Sequence, residues 1–234
     1  LPDIAYHATK FERGYDLCVD VFGADHMDAY PDVLAAIEQL GFNKNNVKVI
    51  IHQFISILEN NEIVKMSTRK GNFITLEKLI EDVGVDVVRY FFIMRNINSH
   101  LNFDLKLAKE KSEKNPIFYI QYAHARICTI LDQNNNIKNP NLSLLNHEKE
   151  IKLIYLLIEF EDLILKLSKN LEPQLLANYL FDLATKFHKY YSTCRIINDT
   201  DDELTKSRLY LIKAIKTTLS NGLSILGISN PERM

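Results

Sequence analysis

The segment 65–72, Lys-Met-Ser-Thr-Arg-Lys-Gly-Asn, carries three cations and two hydroxyls within eight residues. A loop of this composition suits a phosphate, because amides and hydroxyls donate to it and Gly71 lets the backbone approach closely. Lysine and arginine also stabilise a phosphoryl group as its negative charge develops. A solvated basic turn is the alternative, since most charge runs lie on solvated faces.

A second polar segment, Gly-Ala-Asp-His at 23–26, follows a run of apolar and β-branched residues. Open parallel sheets bind ligands at the carboxyl ends of their strands, where Asp25 and His26 would project over the crevice and Gly23 would leave room. A loop histidine partly buried for packing is the alternative. Because the loop at 65–72 follows the next strand, both segments are predicted at one edge of the sheet.

Hydrophobic periodicity predicts the elements that hold these segments. The runs 17–22 and 47–51 predict buried strands, and apolar positions between 33 and 40, ended by Gly41, predict a helix. Strand, helix and strand at this spacing form one right-handed crossover unit of a parallel sheet. The first part of the chain is therefore predicted to be α/β.

The rest of the chain is predicted to be helical. Two short helices, separated by Gly84, are expected at 76–83, opening at Thr75, and at 87–95. Beyond Pro116, apolar residues recur at steps of three and four, which predicts helices at 116–132, 147–169, 174–197 and 203–227. This pattern indicates a helical bundle, so the predicted domains are 1–115 and 116–234.

Bulk composition narrows the class of protein. With 47% hydrophobic and 25% charged residues, the chain is typical of soluble globular proteins, and no membrane association is expected. Cys18, Cys128 and Cys194 lie far apart without metal-ligand spacing, which predicts a cytoplasmic location and no structural metal. A net charge of −2 limits nucleic-acid contact to local patches. Because the chain opens on Leu1, we expect it to be a fragment.

Five motifs, in order along the chain, resemble those of arginyl-tRNA synthetases, which are class I aminoacyl-tRNA synthetases. They are Pro-Asp-Ile-Ala-Tyr-His at 2–7, Gly-Ala-Asp-His at 23–26, Met-Ser-Thr-Arg-Lys-Gly-Asn at 66–72, Gln-Tyr-Ala-His-Ala-Arg at 121–126 and Pro-Glu-Arg-Met at 231–234. The resemblance implies the carboxyl-terminal half of a Rossmann-like parallel-sheet catalytic domain, followed by a helical-bundle anticodon-binding domain. It also implies ATP-dependent activation of L-arginine and transfer to the 3′ end of the cognate tRNA.

The resemblance implies roles for residues of the arginine pocket. Asp3 matches an acidic position that pairs with the substrate guanidinium, and a carboxylate suits this because it accepts two parallel bonds. An N-cap for a helix beginning near Ile4 is the alternative role. Tyr6 and His7 follow on that helix and would line the same pocket, as would His26.

The resemblance also implies an ATP site. Its residues would come from the strand-end segment and from the mobile signature loop: Gly23, Asp25, His26, Val64, Met66 and Ser67. Catalysis would rest on positioning and electrostatic stabilisation, with Mg²⁺ accompanying ATP and closure of the loop around Ser67 gating the step.

Two departures from the family pattern affect this assignment. The class I signature has a lysine where this chain has Thr68, so Arg69, Lys70 or a basic residue elsewhere would stabilise the phosphates beside Ser67. In addition, no His-x-Gly-His occurs in the sequence. Since that signature cradles the ATP phosphates, the 234 residues alone are predicted not to form an adenylate.

The helical half is expected to bind tRNA. Proteins read single-stranded RNA by stacking bases on aromatic or guanidinium planes. Tyr119, Tyr122 and Arg126 share one helical face, Tyr191 ends the third helix, and Met234 closes the chain. The alternatives are core tyrosines with hydrogen-bonded hydroxyls, and a tie between the domains for Arg126. Tyr191 is favoured, because paired tyrosines rarely both point inward.

Two other classes of protein fit the sequence less well. A non-catalytic tRNA-binding relative is disfavoured by Asp3, His26 and the 66–71 segment, since a pure RNA binder has no use for a guanidinium pocket. A class I synthetase for cysteine or another amino acid is disfavoured by the motifs at 121–126 and 231–234. The expected partners are tRNA(Arg), L-arginine and ATP, and the protein is expected to be a monomer.

Overall fold

The structure is a computed structural model that describes residues 2–60, 62–64, 74–134, 137–198 and 200–234. The chain folds into two compact units. One unit comprises Leu1–Ser56 with Asn96–Asn102, and the other Ile57–Arg95 with Phe103–Met234. These units differ from the predicted domains, which were divided near Pro116 into a catalytic part and an anticodon-binding part. The domain boundary near Pro116 stays a prediction.

The first unit contains the predicted crossover. Its elements are helix α1 (Pro2–Glu12), strand β1 (Cys18–Gly23), helix α2 (Tyr30–Gln39) and strand β2 (Val47–His52). The two strands pair in parallel, from Cys18 opposite Val47 to Gly23 opposite His52. The predicted strand, helix and strand are therefore confirmed.

Helices α1 and α2 supply the apolar partners of this small sheet. Cys18, Ile37 and Val47 are buried together, and Phe11 stacks on Phe42 with ring centroids 4.8 Å apart beside them. Burial of apolar surface therefore holds α2 and the last turn of α1 against the sheet.

The second unit combines short strands with the helical bundle. Its elements are strands β3 (Ile55–Glu59), β4 (Glu62–Ile63) and β5 (Leu101–Asp104), and helices α3 (Leu76–Val83), α4 (Val85–Ile93), α5 (Leu105–Lys109), α6 (Pro116–Gln133), α7 (Glu148–Asn170), α8 (Gln174–Tyr191) and α9 (Asp202–Ile225). The strands form a sheet of order β4-β3-β5, and the first residues of β3 and β5 belong to the first unit.

Most predicted helices begin where capping residues stand. Thr75 accepts from the Lys78 amide at 3.2 Å and opens α3, and the Asn115 side chain accepts from the Ile117 amide at the start of α6. Such caps satisfy amide groups that have no partner within the helix. The helix starts at 76 and 116 are therefore confirmed.

Helix α8 ends earlier than predicted. The prediction extended to residue 197, and Cys194 and Ile196, beyond the observed end of the helix, are both buried. In the structure, however, the amides of Thr193 and Cys194 both bond to the Tyr190 carbonyl, at 3.0 and 2.8 Å, and turn the chain. The chain therefore stays buried beyond the end of the helix, in an irregular segment.

The short elements between the halves were not predicted. Strands β3, β4 and β5 and helix α5 span two to five residues each, too few for periodicity to show. Helix α4 was predicted at 87–95 but occupies Val85–Ile93, because Gly84 directly precedes its first turn.

Candidate functional site

The strand-end segment lies where the sequence predicted it. Gly23 is the last residue of β1, and residues 24–26 form a single 3₁₀ turn after it. The Asp25 carboxylate folds back over Gly23, into the space that a Cβ would occupy, so a larger residue at 23 would displace it. Gly23 therefore permits the close approach of the Asp25 side chain, and its predicted role in leaving room for a ligand stays a prediction.

His26 is available for contacts with a ligand. Its side chain is 58% exposed, with Nε2 3.7 Å from a carboxylate oxygen of Asp25 and its ring centroid 5.5 Å from that of Phe22. His26 is therefore not buried, but its contacts with Asp25 and Phe22 fit the alternative of a loop histidine with partners, so its ligand role stays a prediction. A polar group that stays exposed beside a strand end can donate to or accept from a ligand there.

Helix α1 presents the predicted arginine-pocket residues differently. Asp3 lies inside the first turn and is exposed, so the alternative N-cap role is wrong, because the helix already includes Pro2. Tyr6 is also exposed. His7, in contrast, is only 3% exposed, which places it beneath the helix rather than on its outer face.

The His7 ring joins α1 to β1. Its Nε2 lies 2.5 Å from Asp20 Oδ2, and its Nδ1 lies 2.8 Å from the Asp3 carbonyl oxygen. Lys10 Nζ donates to the other Asp20 oxygen at 2.9 Å. Although partial burial acts to raise it, the hydrogen bonds from Lys10 and His7 hold the pKa of Asp20 below its ordinary value. His7 therefore holds the turn that carries Asp3.

The predicted signature loop is largely outside the described residues. Met66, Ser67, Thr68, Arg69 and Lys70 all belong to the segment 65–73, for which the structure describes nothing. Val64 is described: it follows β4, and its amide donates to the Ile57 carbonyl at 2.9 Å. The predicted juxtaposition of this loop with residues 23–26 stays a prediction.

In the second unit, Arg126 is held between two tyrosine rings. Its guanidinium carbon lies 4.5 Å from the Tyr122 centroid and 4.8 Å from the Tyr191 centroid. Its Nη2 also donates to the Tyr122 hydroxyl at 2.5 Å. Cation–π contacts of this kind favour fixed planes for the participating groups. Three predicted RNA-binding residues from α6 and α8 therefore meet in one cluster.

The two adjacent tyrosines at the end of α8 point in opposite directions. Tyr190 is fully buried and its hydroxyl donates to Glu150 at 3.2 Å, whereas Tyr191 is 40% exposed. The core alternative thus applies to Tyr190 but not to Tyr191, as the sequence argument about paired tyrosines indicated. Tyr119 and Tyr122 are half-buried.

Sequence reasoning missed His188, which packs into the same face. Its ring centroid lies 4.3 Å from that of Tyr119 and 5.8 Å from that of Tyr122, and its Nε2 donates to the Tyr119 carbonyl at 3.3 Å. Burial lowers the pKa of His188 below its ordinary value, although the Tyr119 carbonyl opposes this. Its position three residues before Tyr191, on the same face of α8, was the available signal.

A cavity of about 700 Å³ opens beside the cluster. Its walls include Tyr122, Arg126 and Tyr191 together with Arg233 and Met234 at the end of the chain. Aromatic planes, a guanidinium group and a cavity of this size suit an unstacked RNA base. Met234 therefore lies beside the aromatic residues with which the sequence grouped it.

The described residues offer no metal centre. Among them, no group of three or more His, Cys, Asp or Glu side chains is arranged to hold a metal ion. Within the same residues, no helix combines the length and apolar character needed to span a bilayer.

Two protein-family models match successive parts of the chain. The model for class I tRNA synthetases (M) matches residues 21–116, and the model for the DALR anticodon binding domain matches residues 120–234. The cluster around Arg126 lies wholly within the second match.

Arginine–tRNA ligases are similar to the whole chain. The Salinibacter ruber protein is 52% identical over 238 residues and that of Chlorobaculum tepidum 50% identical over 243 residues. Both alignments cover 100% of this chain but only 42% and 44% of those proteins. The chain therefore spans less than half the length of these relatives.

Solved structures agree with this family. A chain from Campylobacter jejuni that is assigned as an arginyl-tRNA synthetase superposes with a TM-score of 0.90 at 30% identity, covering 99% of this chain and 51% of that one. Thermus thermophilus arginyl-tRNA synthetase has the same fold, with a TM-score of 0.75 at 22% identity over 94% of this chain and 41% of its own. By its motifs, its two family models and its similarity over all 234 residues, the chain resembles the arginyl-tRNA synthetases of class I.

Proposed function

We propose that this chain supplies part of the activation site and the anticodon-recognition bundle of an arginine–tRNA ligase. The observation that carries the proposal is the convergence of Tyr122, Arg126, Tyr191 and Met234 on one cavity within the DALR match. The intact enzyme would activate L-arginine with ATP and transfer it to the 3′ end of tRNA(Arg).

In the activation step, the arginine carboxylate attacks the α-phosphate of ATP in line and pyrophosphate leaves. No side-chain nucleophile is required, so the protein acts by positioning and by stabilising the developing charge. Ser67, with Arg69 or Lys70, would contact the leaving pyrophosphate; Mg²⁺ bound with ATP would add positive charge there. Val64 and Met66 would bind ATP from the same loop.

The first unit would hold the amino acid and the nucleoside. Asp3 would accept two hydrogen bonds from the substrate guanidinium, and its exposure on α1 leaves both oxygens accessible. Gly23, Asp25 and His26 would border the bound adenylate at the end of β1. Because the His7 ring holds the Asp3 carbonyl and Asp20, we assign His7 to positioning and Tyr6 to the wall of the pocket.

The 234 residues by themselves are proposed to bind tRNA without forming an adenylate. They contain no His-x-Gly-His sequence, which is needed for the ATP phosphates in this family. We also propose that the intact enzyme is monomeric and cytoplasmic, and that this chain divides into domains at 1–115 and 116–234.

Substitution of Asp3 in the intact protein tests the activation site. Asp3→Ala should raise the Michaelis constant for arginine in ATP–pyrophosphate exchange much more than that for ATP, since only the guanidinium loses its partner. Glu12→Ala, at the other end of α1, is the matched control and should leave both constants unchanged. Equal changes for arginine and ATP after Asp3→Ala would contradict the assigned role.

A non-catalytic tRNA-binding protein is the competing function, and the intact RNA-binding cluster would serve it equally well. The two functions differ in one observable. If the intact protein exchanges pyrophosphate into ATP only when arginine is present, the ligase is supported. If the intact protein binds tRNA but shows no such exchange, the non-catalytic binding protein is supported.

A further inference from the structure

The chain ends in a non-helical segment, residues 226–234, which is anchored on helix α4. Arg89 Nε donates to the Leu226 carbonyl at 2.5 Å, and a Cβ at Gly227, where φ is +66°, would strike the Arg89 guanidinium. The left-handed backbone favours glycine at 227, and its missing side chain leaves room for the Arg89 guanidinium. We call residues 226–234 the terminal segment.

Asp86, in the first turn of α4, receives three hydrogen bonds at this point. The Ser229 amide donates to Oδ1 at 3.1 Å, the Ser229 hydroxyl donates to Oδ2, and Gln121 Nε2 donates to Oδ2 at 2.9 Å. Gln121 Nε2 also lies 2.9 Å from the Ser229 carbonyl oxygen. A carboxylate that accepts several such bonds forms a strong, directional link.

Beyond Ser229, the terminal segment follows α6 toward the RNA-binding cavity. His124 Nδ1 donates to the Pro231 carbonyl at 2.9 Å, and Lys216 lies 3.7 Å from Glu232. The segment then ends in Arg233 and Met234, which line the cavity. Ser229 is five residues from Met234 in the sequence, so the anchor at Ser229 limits the positions that Met234 can take in the cavity wall.

We propose that Asp86, acting with Gln121 and Ser229, is a positioning residue for RNA binding: it fixes the terminal segment so that Arg233 and Met234 complete the cavity. This inference rests on the proposed function. Asp86 falls within the class I match, whereas both of its partners fall within the DALR match. A residue of the synthetase part would thereby shape the anticodon site without touching RNA.

The physical basis is preorganisation. An anchored segment has already lost its conformational freedom before RNA arrives, whereas a released one must be ordered during binding and weakens it. Asp86→Asn keeps the side-chain volume but directs an amide group at the donors of Ser229 and Gln121. Glu77→Gln is a matched control, because Glu77 is also an acidic residue in the first turn of a helix, α3.

The test measures two quantities on the 234-residue chain. Amide hydrogen exchange at Ser229 and the rate at which carboxypeptidase releases Met234 report on the anchor, and binding of the anticodon stem-loop of tRNA(Arg) reports on its consequence. Asp86→Asn should raise both rates and weaken RNA binding about tenfold, as expected when several contacts must be ordered on binding. Glu77→Gln should change none of these.

The outcomes separate the two proposals. Failure of the unaltered chain to bind this RNA refutes the proposed function, and with it any role of Asp86 in binding. Normal binding by Asp86→Asn with a released terminal segment refutes the inference alone, and an unchanged exchange rate refutes the anchor. If Asp86→Asn does not fold, Ser229→Ala, an exposed change that removes one of the three bonds, must produce the same effects more weakly.

Discussion

Arg126 of α6 lies over the Tyr191 ring of α8, with the guanidinium carbon 4.8 Å from the ring centroid. The same guanidinium covers Tyr122, so one cation orders two aromatic planes beside the cavity. Under the proposed function, the two rings would give the helical half a preformed stacking surface for RNA bases. The alternative in which Arg126 ties two domains together does not account for these contacts, since both rings belong to the DALR match.

The exposed ring of Tyr191 should contribute directly to RNA affinity. Tyr191→Ala should weaken binding of the tRNA(Arg) anticodon stem-loop by ~1–3 kcal/mol, the range for one stacked base. Tyr191→Phe should retain most of the affinity, because it keeps the ring. Tyr155→Ala on α7, which removes another exposed tyrosine, is the control. Equal losses at 191 and 155 would show that the effect is not specific to the cluster.

Stability of the helical unit should fall in mild acid. Burial lowers the pKa of His124 and of His188 below the ordinary value of 6.5, partly offset at each by a backbone carbonyl. The folded state therefore binds protons less readily than the unfolded one. This contribution to stability is complete above pH 6.5 and is lost as the pH falls below it.

Urea unfolding at several pH values between about 7.5 and 5 checks this expectation. The free energy of unfolding should decrease across the range, and His188→Gln should make the decrease shallower. His26→Gln, which alters an exposed histidine, should leave the slope unchanged. A slope that His188→Gln does not alter would mean that His188 is not responsible.

Glu150 should be a large contributor to the stability of the bundle. It is fully buried and accepts hydrogen bonds from Arg208 Nε at 2.7 Å, from the His147 amide at 3.0 Å and from Tyr190. Glu150→Gln would leave the Arg208 charge without its partner, and removing one member of a buried pair destabilises by about 3–5 kcal/mol.

Glu148→Gln provides the comparison, two residues earlier on the same helix. Glu148 is exposed and pairs with Lys152, and such surface pairs contribute only about 0–1 kcal/mol. In chemical unfolding, the free energy of unfolding should therefore fall much more for Glu150→Gln than for Glu148→Gln. Similar, small changes in the free energy of unfolding would show that Arg208 finds another partner.

Periodicity predicted the long elements well, for a physical reason. Helices α8 and α9 bury residues along most of their length at steps of three and four, so their apolar spacing is visible in the sequence. Strands β3, β4 and β5 are too short for this and depend on partners that are distant in sequence. Residues 192–197 show the opposite error: they were predicted to be helical, but their backbone is irregular although Cys194 and Ile196 are buried.

Some residues of the candidate site were predictable from the sequence and others were not. Residue type and spacing brought Tyr122, Arg126 and Tyr191 into one set, and the structure shows them in contact. The position of His188 three residues before Tyr191 hinted at its place, but its ring contacts with α6 depend on the fold. The role of Asp86 had no such signal, because its partner Ser229 is 143 residues away.

The most direct test of the account is aminoacylation by the intact protein that carries this chain. With ATP, Mg²⁺, total tRNA and each amino acid offered in turn, we predict that arginine alone becomes esterified to tRNA. Attachment of a different amino acid, or of none by a protein that is folded and binds tRNA, would contradict the assignment as an arginine–tRNA ligase.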